Sequence, residues 1–283
     1  MLFGGLDNKT SLYSFNSSDQ QWTKVSDLPS DRRYHGSVIV GGSVFIVGGW
    51  DNNTIEQYNI STKTFKNVAI MKKCLNEFGI CVFNSEALLI AGGSGNDFDA
   101  TNNCFLFNTN TKTFKEISNM KTKRWGHALV NVEGIVYSIG GQKEKHKLLN
   151  TIETFDPVTE QWKTSDVMLQ NARSGHQAVA HKHFIYIFGG YTYTNSWKEL
   201  EVTDTIEKYN LLTGQNELLD VKLRVVRSNF AVGKVNSDFY ILGGESKYLR
   251  STDTVEIFNL ETEEIRRGKN LPVSDRGFTA CVF

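Results

Sequence analysis

Residues 185–190 read Ile-Tyr-Ile-Phe-Gly-Gly, a short apolar run that ends in a glycine pair. Six such pairs occur along the 283-residue chain, at Gly4-Gly5, Gly48-Gly49, Gly92-Gly93, Gly140-Gly141, Gly189-Gly190 and Gly243-Gly244. Their first glycines are 44, 44, 48, 49 and 54 residues apart, whereas a seventh pair, Gly41-Gly42, follows no such run and is assigned to a turn. A period in this range is typical of repeat architectures. The chain is therefore predicted to contain six similar units.

Each unit is predicted to contain strands and tight hairpins. The runs before the glycine pairs are apolar throughout, which is typical of strands buried on both faces. A second pattern, Thr-Ile-Glu-x-Tyr or close to it, alternates with period two and so indicates half-buried strands at 54–58, 151–155, 205–209 and 254–258, with looser copies at 11–15 and 103–107. Seven residues after its aromatic position stand Trp22, Phe65, Phe114, Trp162, Asn216 and Ile265. This constant interval predicts a hairpin of constant length.

A third marker precedes the glycine pairs by 16 residues and opens a further strand. It consists of Arg32, Asn76, Arg124, Arg173 and Arg227, with Arg276 opening the last copy. Each unit thus has four strands, a to d, and no segment shows a sustained helical period. Six four-stranded units predict an all-β fold, a six-bladed β-propeller.

These motifs together resemble the kelch repeat, and the resemblance covers essentially the whole chain. Asn216 and Ile265 depart from it, because tryptophan is usual at those positions. The resemblance implies one propeller over residues 1–283, with the ring closed by a strand a from the C-terminus. The blades are expected at 1–28 plus 274–283, 29–70, 71–120, 121–168, 169–222 and 223–273. Since Met1 falls within a strand b, we also expect upstream sequence, with a stand-alone propeller as the alternative. BTB and BACK domains often precede kelch propellers, and neither is visible in the sequence.

The composition limits the classes of function. The chain carries 31 basic and 31 acidic residues, so its charge gives no support to a nucleic-acid or membrane partner. No apolar run reaches the ~18 residues of a membrane helix. The four cysteines have no metal-ligand spacing and indicate a reducing compartment. We expect a cytoplasmic protein without a cofactor, with a cytoskeletal location as an alternative.

The resemblance implies that partners bind where the d–a and b–c loops meet around the central channel. The candidate residues at or beside the strand a starts are Arg32, Tyr34, Asn76, Arg124, Trp125, Arg173, Ser174, Arg227, Ser228, Asn229 and Arg276. Arginine suits carboxylates and phosphates, which predicts an acidic or phosphorylated partner. The alternative is that these arginines bond backbone carbonyls or local acids such as Asp31, Glu77 and Asp275.

Two further groups of residues concern the loops and the histidines. The longest b–c loop, in blade 5, contains Tyr191, Tyr193 and Trp197 in polar surroundings, as in a contact surface. Alternatively, Trp197 folds back on its own blade. One histidine lies three residues after Arg in three of the blades, at His35, His127 and His176, where packing is expected rather than metal binding.

Three functions are compatible with the resemblance. The first is a protein-binding module, specifically the substrate-recognition domain of a BTB-kelch adaptor of a cullin-RING ubiquitin ligase. The second is an actin-associated cytoskeletal scaffold. The third is a kelch-like enzyme, such as an oxidase, an isomerase or a specifier protein. No catalytic triad, phosphate loop or matched copper-ligand set is found in the sequence, so a non-enzymatic binding module is expected.

Overall fold

The computed structural model of the protein describes residues 1–193 and 199–282. Its six four-stranded antiparallel sheets confirm the predicted all-β propeller. The helical part of the described chain is one short 3₁₀ turn, Lys247–Leu249. Within the same ranges, no helix is long and apolar enough to span a membrane.

The strands of the first three blades follow one order, a-b-c-d across each sheet. Blade 1 contains Thr279–Ala280, Leu2–Phe3, Ser11–Asn16 and Gln21–Asp27. Blade 2 contains Gly36–Val40, Ser43–Val47, Thr54–Asn59 and Thr64–Ile70. Blade 3 contains Gly79–Asn84, Ala87–Ala91, Cys104–Asn108 and Phe114–Ile117.

The other three blades repeat the order, and two of them carry an extra hairpin in the b–c loop. Blade 4 contains Ala128–Val132, Ile135–Ile139, Thr151–Asp156 and Gln161–Met168, with the hairpin Gln142–Glu144 and Lys147–Leu148. Blade 5 contains Gln177–His181, Phe184–Phe188, Ile206–Asn210 and Asn216–Leu218, with the hairpin Tyr191–Tyr193 and Leu200–Val202. Blade 6 contains Ala231–Val235, Asp238–Leu242, Val255–Asn259 and Ile265–Arg267.

The C-terminal strand closes the ring, as predicted. Leu2 lies opposite Ala280 in an antiparallel pair, so blade 1 joins the two ends of the chain. The Asp275 carboxylate adds a second link, because it accepts backbone N–H groups of Asp7 and Asn8 at 3.0 and 3.1 Å. Closure leaves no sheet without its innermost strand.

The hydrophobic core is divided into six clusters, and each is shared by two neighbouring blades. In the cluster between blades 2 and 3, the rings of Phe45 and Phe107 lie 6.2 Å apart. No single blade buries its own apolar faces, because each face is covered by the next blade. Stability therefore depends on stacking all six units.

The constant seven-residue interval corresponds to the c–d hairpin. It places Phe15 opposite Trp22 and Phe155 opposite Trp162, with ring centroids 4.7 and 5.3 Å apart. In blade 5 the place of the tryptophan is taken by Asn216, whose side-chain amide donates to the Glu207 carboxylate at 2.6 Å. The departure from the motif thus replaces ring packing with a polar contact in the same register.

Each glycine pair is a contact between two blades. The first glycine has φ between +53° and +62° in all six pairs, a conformation that favours glycine. A methyl group at Gly140 would lie 2.8 Å from the carbonyl oxygen of Arg173 and 2.9 Å from the His176 ring in the next blade. The second glycine, Gly141, donates its N–H to the same Arg173 carbonyl at 2.8 Å. The pairs therefore recur because strand a of the next blade passes so close.

Candidate functional site

Four of the arginines at the strand a starts are inside the protein. The relative exposure of Arg32, Arg124, Arg173 and Arg227 is 0%. Each donates to the carbonyl of the first glycine in its own blade, at 2.6 to 2.8 Å. The expectation that they contact a partner is corrected, because a fully buried guanidinium is not part of the surface that a partner meets.

The carboxylate partner of each buried arginine comes from strand c. Arg124 Nη2 lies 2.6 Å from Glu153 Oε1, and the same carboxylate accepts the backbone N–H groups of Lys121 and Thr122. Corresponding pairs join the other three arginines to Glu56, Glu207 and Glu256. These acids are not the local ones named as alternatives above. Each Arg–Glu pair fastens the loop that enters its blade.

Asn76 and Arg276 do not occupy the position of the buried arginines. The second glycine of each pair donates its N–H to a backbone carbonyl at the next strand a start. In four blades this carbonyl is that of Arg32, Arg124, Arg173 or Arg227, whereas in blades 3 and 1 it is that of Leu75 and Asp275. Counting 16 residues back from Gly92 selects Asn76 instead of Leu75, because strand a of blade 3 contains an irregularity between Val82 and Asn84. Asn76 and Arg276 therefore lie one position further along the chain.

The loss of the arginine coincides with loss of the glutamate. In blade 3, Leu75 stands at the arginine position and Phe105 at the glutamate position. In blade 1 the corresponding residues are Asp275 and Tyr13. A buried charge without a partner is costly, so the arginine and the glutamate occur together or not at all. In blade 1 the Asp275 carboxylate accepts backbone N–H groups of Asp7, Asn8 and Arg276 instead. The pairing of arginine with glutamate is a sequence signal for burial of the arginines.

The channel mouth is formed by one residue from each blade, at the position after Asn76 and its equivalents. We call Tyr34, Glu77, Gly126, Gly175, Asn229 and Gly277 the mouth ring. Each backbone N–H in this ring donates to the carbonyl of the residue in the preceding blade, at 2.7 to 3.0 Å. Six hydrogen bonds therefore close around the channel and hold the mouth rigid. They enclose an opening of about 100 Å³.

All six residues of the mouth ring have positive φ, from +49° to +65°. Three are glycines, for which this conformation costs little. The others are Tyr34, Glu77 and Asn229, and a non-glycine residue in this region costs of order 1 kcal/mol or more. Side chains thus stand at the mouth where glycine would be less strained. Such strain is commonly retained at functional sites.

Two carboxylates lie at the mouth in different states. Glu245 forms an ion pair with Arg276 at 2.7 Å and accepts a hydrogen bond from the Tyr191 hydroxyl. For the Glu77 carboxylate, no hydrogen bond or ion pair is found within residues 1–193 and 199–282. Burial and the charge of Glu245 raise the pKa of Glu77 to about 7. Burial also raises the pKa of Tyr34 to about 12, with Glu77 contributing.

Beside the mouth, three side chains from blades 2 and 3 form a stack. The guanidinium of Arg33 lies 5.2 Å from the centre of the Trp50 ring, and Trp50 lies 5.1 Å from Phe98. Phe98 is 60% exposed and has φ of +61°, between Asp97 and Asp99. Aromatic and arginine side chains of this kind are typical hot spots of protein interfaces. We call Arg33, Trp50 and Phe98 the aromatic stack.

A second exposed tip lies three blades away, on the opposite side of the ring. Tyr248 and Leu249 in the b–c loop of blade 6 are 89% and 63% exposed, and both have positive φ. Lys247 and Arg250 flank them. Arg276 fastens this loop by donating to the carbonyl of Leu249 at 2.6 Å. The face that carries the b–c loops, which we call the loop face, therefore presents apolar tips on both sides of the channel mouth.

The structure divides the remaining predicted residues into two groups. Asn76, Trp125, Ser174 and Ser228 are buried at the strand a starts, at 0 to 5% exposure. Partly exposed are Tyr34, Tyr191, Tyr193, Asn229 and Arg276. The Tyr193 hydroxyl bonds the backbone of the neighbouring loop at Leu148 and His146. Trp197 lies outside the described residues.

Sequence reasoning missed several residues of the loop face. These are Arg33, Trp50, Phe98, Glu245, Tyr248 and Leu249. Two signals could have found some of them. Trp50 and Glu245 directly follow a glycine pair, and Phe98 is a lone aromatic residue in a loop of Asn and Asp. Glu77 was noticed only as a possible partner for an arginine.

The histidines pack as expected. His35, His127 and His176 are 6%, 6% and 2% exposed, and each ring lies against the first glycine of the preceding blade. Burial and the nearby Arg173 lower the pKa of His176 to about 3, so its imidazole is neutral. Phenylalanine takes the same place in the other three blades. Within residues 1–193 and 199–282, no group of three or more His, Cys, Asp or Glu is arranged to hold a metal ion.

Comparison with known families agrees with this geometry. The KLHDC2/KLHL20/DRC7 Kelch-repeats domain matches residues 126–283, and the Kelch motif matches residues 31–72. The first match covers more than half of the chain. The chain belongs to the kelch-repeat family. It is a kelch propeller, a protein-interaction module.

Similar curated proteins include kelch-like proteins and scruins. Kelch-like protein 36 of Mus musculus is 25% identical over 94% of this chain and 45% of its own length. Beta-scruin of Limulus polyphemus is 22% identical over 99% of this chain and 33% of its own length. The kelch propeller thus spans less than half of these relatives.

Among solved structures, that of YjhT superposes with a TM-score of 0.81. The match covers 95% of this kelch propeller and 97% of the other chain, at 14% identity. Identity this low shows a common fold and does not transfer an activity.

Proposed function

We propose that this kelch propeller binds an extended segment of a partner protein on its loop face, across the channel mouth. The observation that carries the proposal is the aromatic stack, because it presents an arginine and two aromatic rings in a supported arrangement with Phe98 exposed. The rigid mouth ring beside it supports the proposal, since a preorganised surface loses little entropy on binding.

The character of the partner differs from the sequence-based expectation. The arginines at five of the six predicted strand a starts predict an acidic or phosphorylated partner. Four of those arginines are paired with glutamates inside the blades. The proposal therefore depends on the aromatic stack and the mouth and assigns no acidic character to the partner.

Capture of partners by a surface variant and its matched control tests the proposal. Phe98→Ser removes an exposed ring from the loop face, and Val158→Ser removes a 90% exposed apolar side chain from the c–d turn on the opposite face. We expect Phe98→Ser to lose partners that native protein and Val158→Ser both retain, with unchanged melting temperatures. Equal recovery of partners by both variants would contradict the proposed face.

For the cellular role, we infer a substrate-recognition domain of a BTB-kelch adaptor of a cullin-RING ubiquitin ligase. The similarity to kelch-like proteins 36 and 23 supports this inference. Co-purification of a cullin with the natural full-length protein is the expected result. If a full-length protein with a BTB domain binds no cullin, the ligase role is ruled out.

An actin-associated scaffold is the second candidate. It is favoured by similarity to the beta- and alpha-scruins of Limulus polyphemus, which extends over 99% and 92% of this chain. Co-sedimentation with actin filaments distinguishes it from the adaptor role. Pelleting that depends on Phe98 would place the filament on the loop face.

A further inference from the structure

We propose that the Glu77 carboxylate at the channel mouth receives one cationic side chain, a lysine or an arginine, from the partner segment. This inference rests on the proposed function, since it specifies one residue of the segment that crosses the loop face. It reverses the charge that the buried arginines had suggested for the partner.

The position of Glu77 is the first support. Its backbone is held in the mouth ring by two hydrogen bonds, from its N–H to Tyr34 and from Gly126 to its carbonyl. A methyl group at Gly126 would lie 3.2 Å from Glu77 Oε2, so the carboxylate lies over a ring position without a side chain. Gly175 and Gly277 leave two further positions of the ring without side chains. Neighbouring side chains cover these positions, with the Ser174 hydroxyl beside Gly126 and the Tyr34 ring beside Gly277, and the space that remains in the opening is about 100 Å³.

The second support is that no side chain in the described residues pairs with the Glu77 carboxylate. Within residues 1–193 and 199–282, no cation or hydrogen-bond donor contacts the Glu77 carboxylate, whereas Glu245 has both Arg276 and Tyr191. The cost of this isolation appears in the raised pKa of Glu77. A bound cation would remove that cost by stabilising the ionised form.

The histidines near the same opening add no positive charge to it. His127 and His176 are more than nine-tenths buried, and their rings lie against Gly92 and Gly140 of the preceding blades. Burial and the nearby arginines lower the pKa of both rings, which are therefore neutral. They therefore do not repel a cation that approaches Glu77.

The other charged and titratable groups described near the mouth are either paired or neutral near pH 7. Glu77 is therefore the acid that can receive a cation there. Arg276 is paired with Glu245, and Arg33 lies over Trp50. Burial raises the pKa of Tyr34 and of Tyr191, so both phenols are neutral near pH 7. His35 is neutral as well, because burial lowers its pKa to about 3. A change of charge in the mouth between pH 6 and pH 8 therefore comes from Glu77.

The test uses a tripeptide probe, acetyl-Gly-Arg-Gly-amide, and its citrulline analogue, which has nearly the same shape and no charge. Binding is measured by NMR titration at pH 6 and pH 8 for native protein, Glu77→Gln and Glu144→Gln. Glu144 is an exposed glutamate in the blade 4 loop of the same face, paired with Lys147, and so provides the control for the change of charge. The probe experiment contains no partner protein, so its failure would leave the test with Phe98→Ser unaffected.

We expect native protein and Glu144→Gln to bind the arginine probe about tenfold more tightly at pH 8 than at pH 6, following ionisation of Glu77. Glu77→Gln and the citrulline probe should show no such dependence. Equal affinity of native protein and Glu77→Gln for the arginine probe at pH 8 would overturn the proposal.

Discussion

At the scale of single residues, the kelch propeller contains two kinds of charged side chain, those paired in the interior and one at the channel mouth. The charges of Arg124 and Glu153 are both at 0% exposure and satisfy each other and the backbone around them. The charge of Glu77 stands at an opening without a partner in the described chain. Charges of the first kind maintain the structure, and charges of the second kind are available to a ligand.

The chain supplies its own control for the buried pairs. Arg124→Leu leaves Glu153 without its cation, and we expect it to lower the free energy of unfolding by about 3 to 5 kcal/mol. Adding Glu153→Phe reproduces the Leu75 and Phe105 combination of blade 3. Because the second substitution removes the uncompensated charge, it should restore part of the lost stability. Equilibrium denaturation of the two variants measures this, and a double variant less stable than Arg124→Leu would contradict it.

At the scale of the structural elements, the glycine pairs serve the contact between blades. The first glycine meets the strand a start of the following blade, and the second donates a hydrogen bond to it. The neighbouring faces then share one hydrophobic cluster. Each repeat therefore needs its contact with the next blade as well as its own four strands.

Two glycines with similar backbone conformation test this role. Gly140 has φ of +59° and lies against Arg173 and His176, whereas Gly41 has φ of +57° and no atom lies within 4 Å of its missing side chain. Gly41→Ala should cost about 1 kcal/mol, the price of the conformation alone. Gly140→Ala should cost about 2 to 4 kcal/mol, since a steric clash is added. Denaturant midpoints compare them, and equal losses would refute a close contact between blades.

Much of the fold could be predicted at this scale. The six apolar runs, the glycine pairs and the seven-residue interval identify the strands, because each is imposed by local geometry. The site was harder to predict. Spacing alone could not show that Arg124 points inward, and the irregularity near Val82 shifted the alignment of Asn76. Exposed aromatic residues such as Phe98 belong to loops that vary between blades, so no repeat reveals them.

At the scale of the whole molecule, stability depends on closure of the ring. The last strand completes blade 1, and Phe278 packs in the cluster between blades 6 and 1. The Asp275 carboxylate fastens the same region to Asp7 and Asn8. Every blade is covered by its two neighbours. Opening the junction between two blades therefore exposes the apolar face that each of them had buried there.

Removal of residues 275–283 should therefore unfold the propeller. It deletes an inner strand, exposes the edge of Leu2–Phe3 and uncovers a hydrophobic cluster. Circular dichroism with thermal melting measures the outcome. Loss of the cooperative transition is expected, and a truncated protein that melts cooperatively at the native temperature would show that closure is dispensable.

Across the whole molecule, the buried Arg–Glu pairs maintain the propeller while the loop face binds the partner. The affinity of a captured partner for two folded variants tests this division most directly. One is the double variant Arg124→Leu/Glu153→Phe, and the other is the single variant Phe98→Ser. The first variant should bind as the native protein does, because it changes no exposed side chain. The second should bind at least about tenfold more weakly, as expected for loss of an interface hot spot. The reverse result, weak binding by the first and native binding by Phe98→Ser, would contradict the claim.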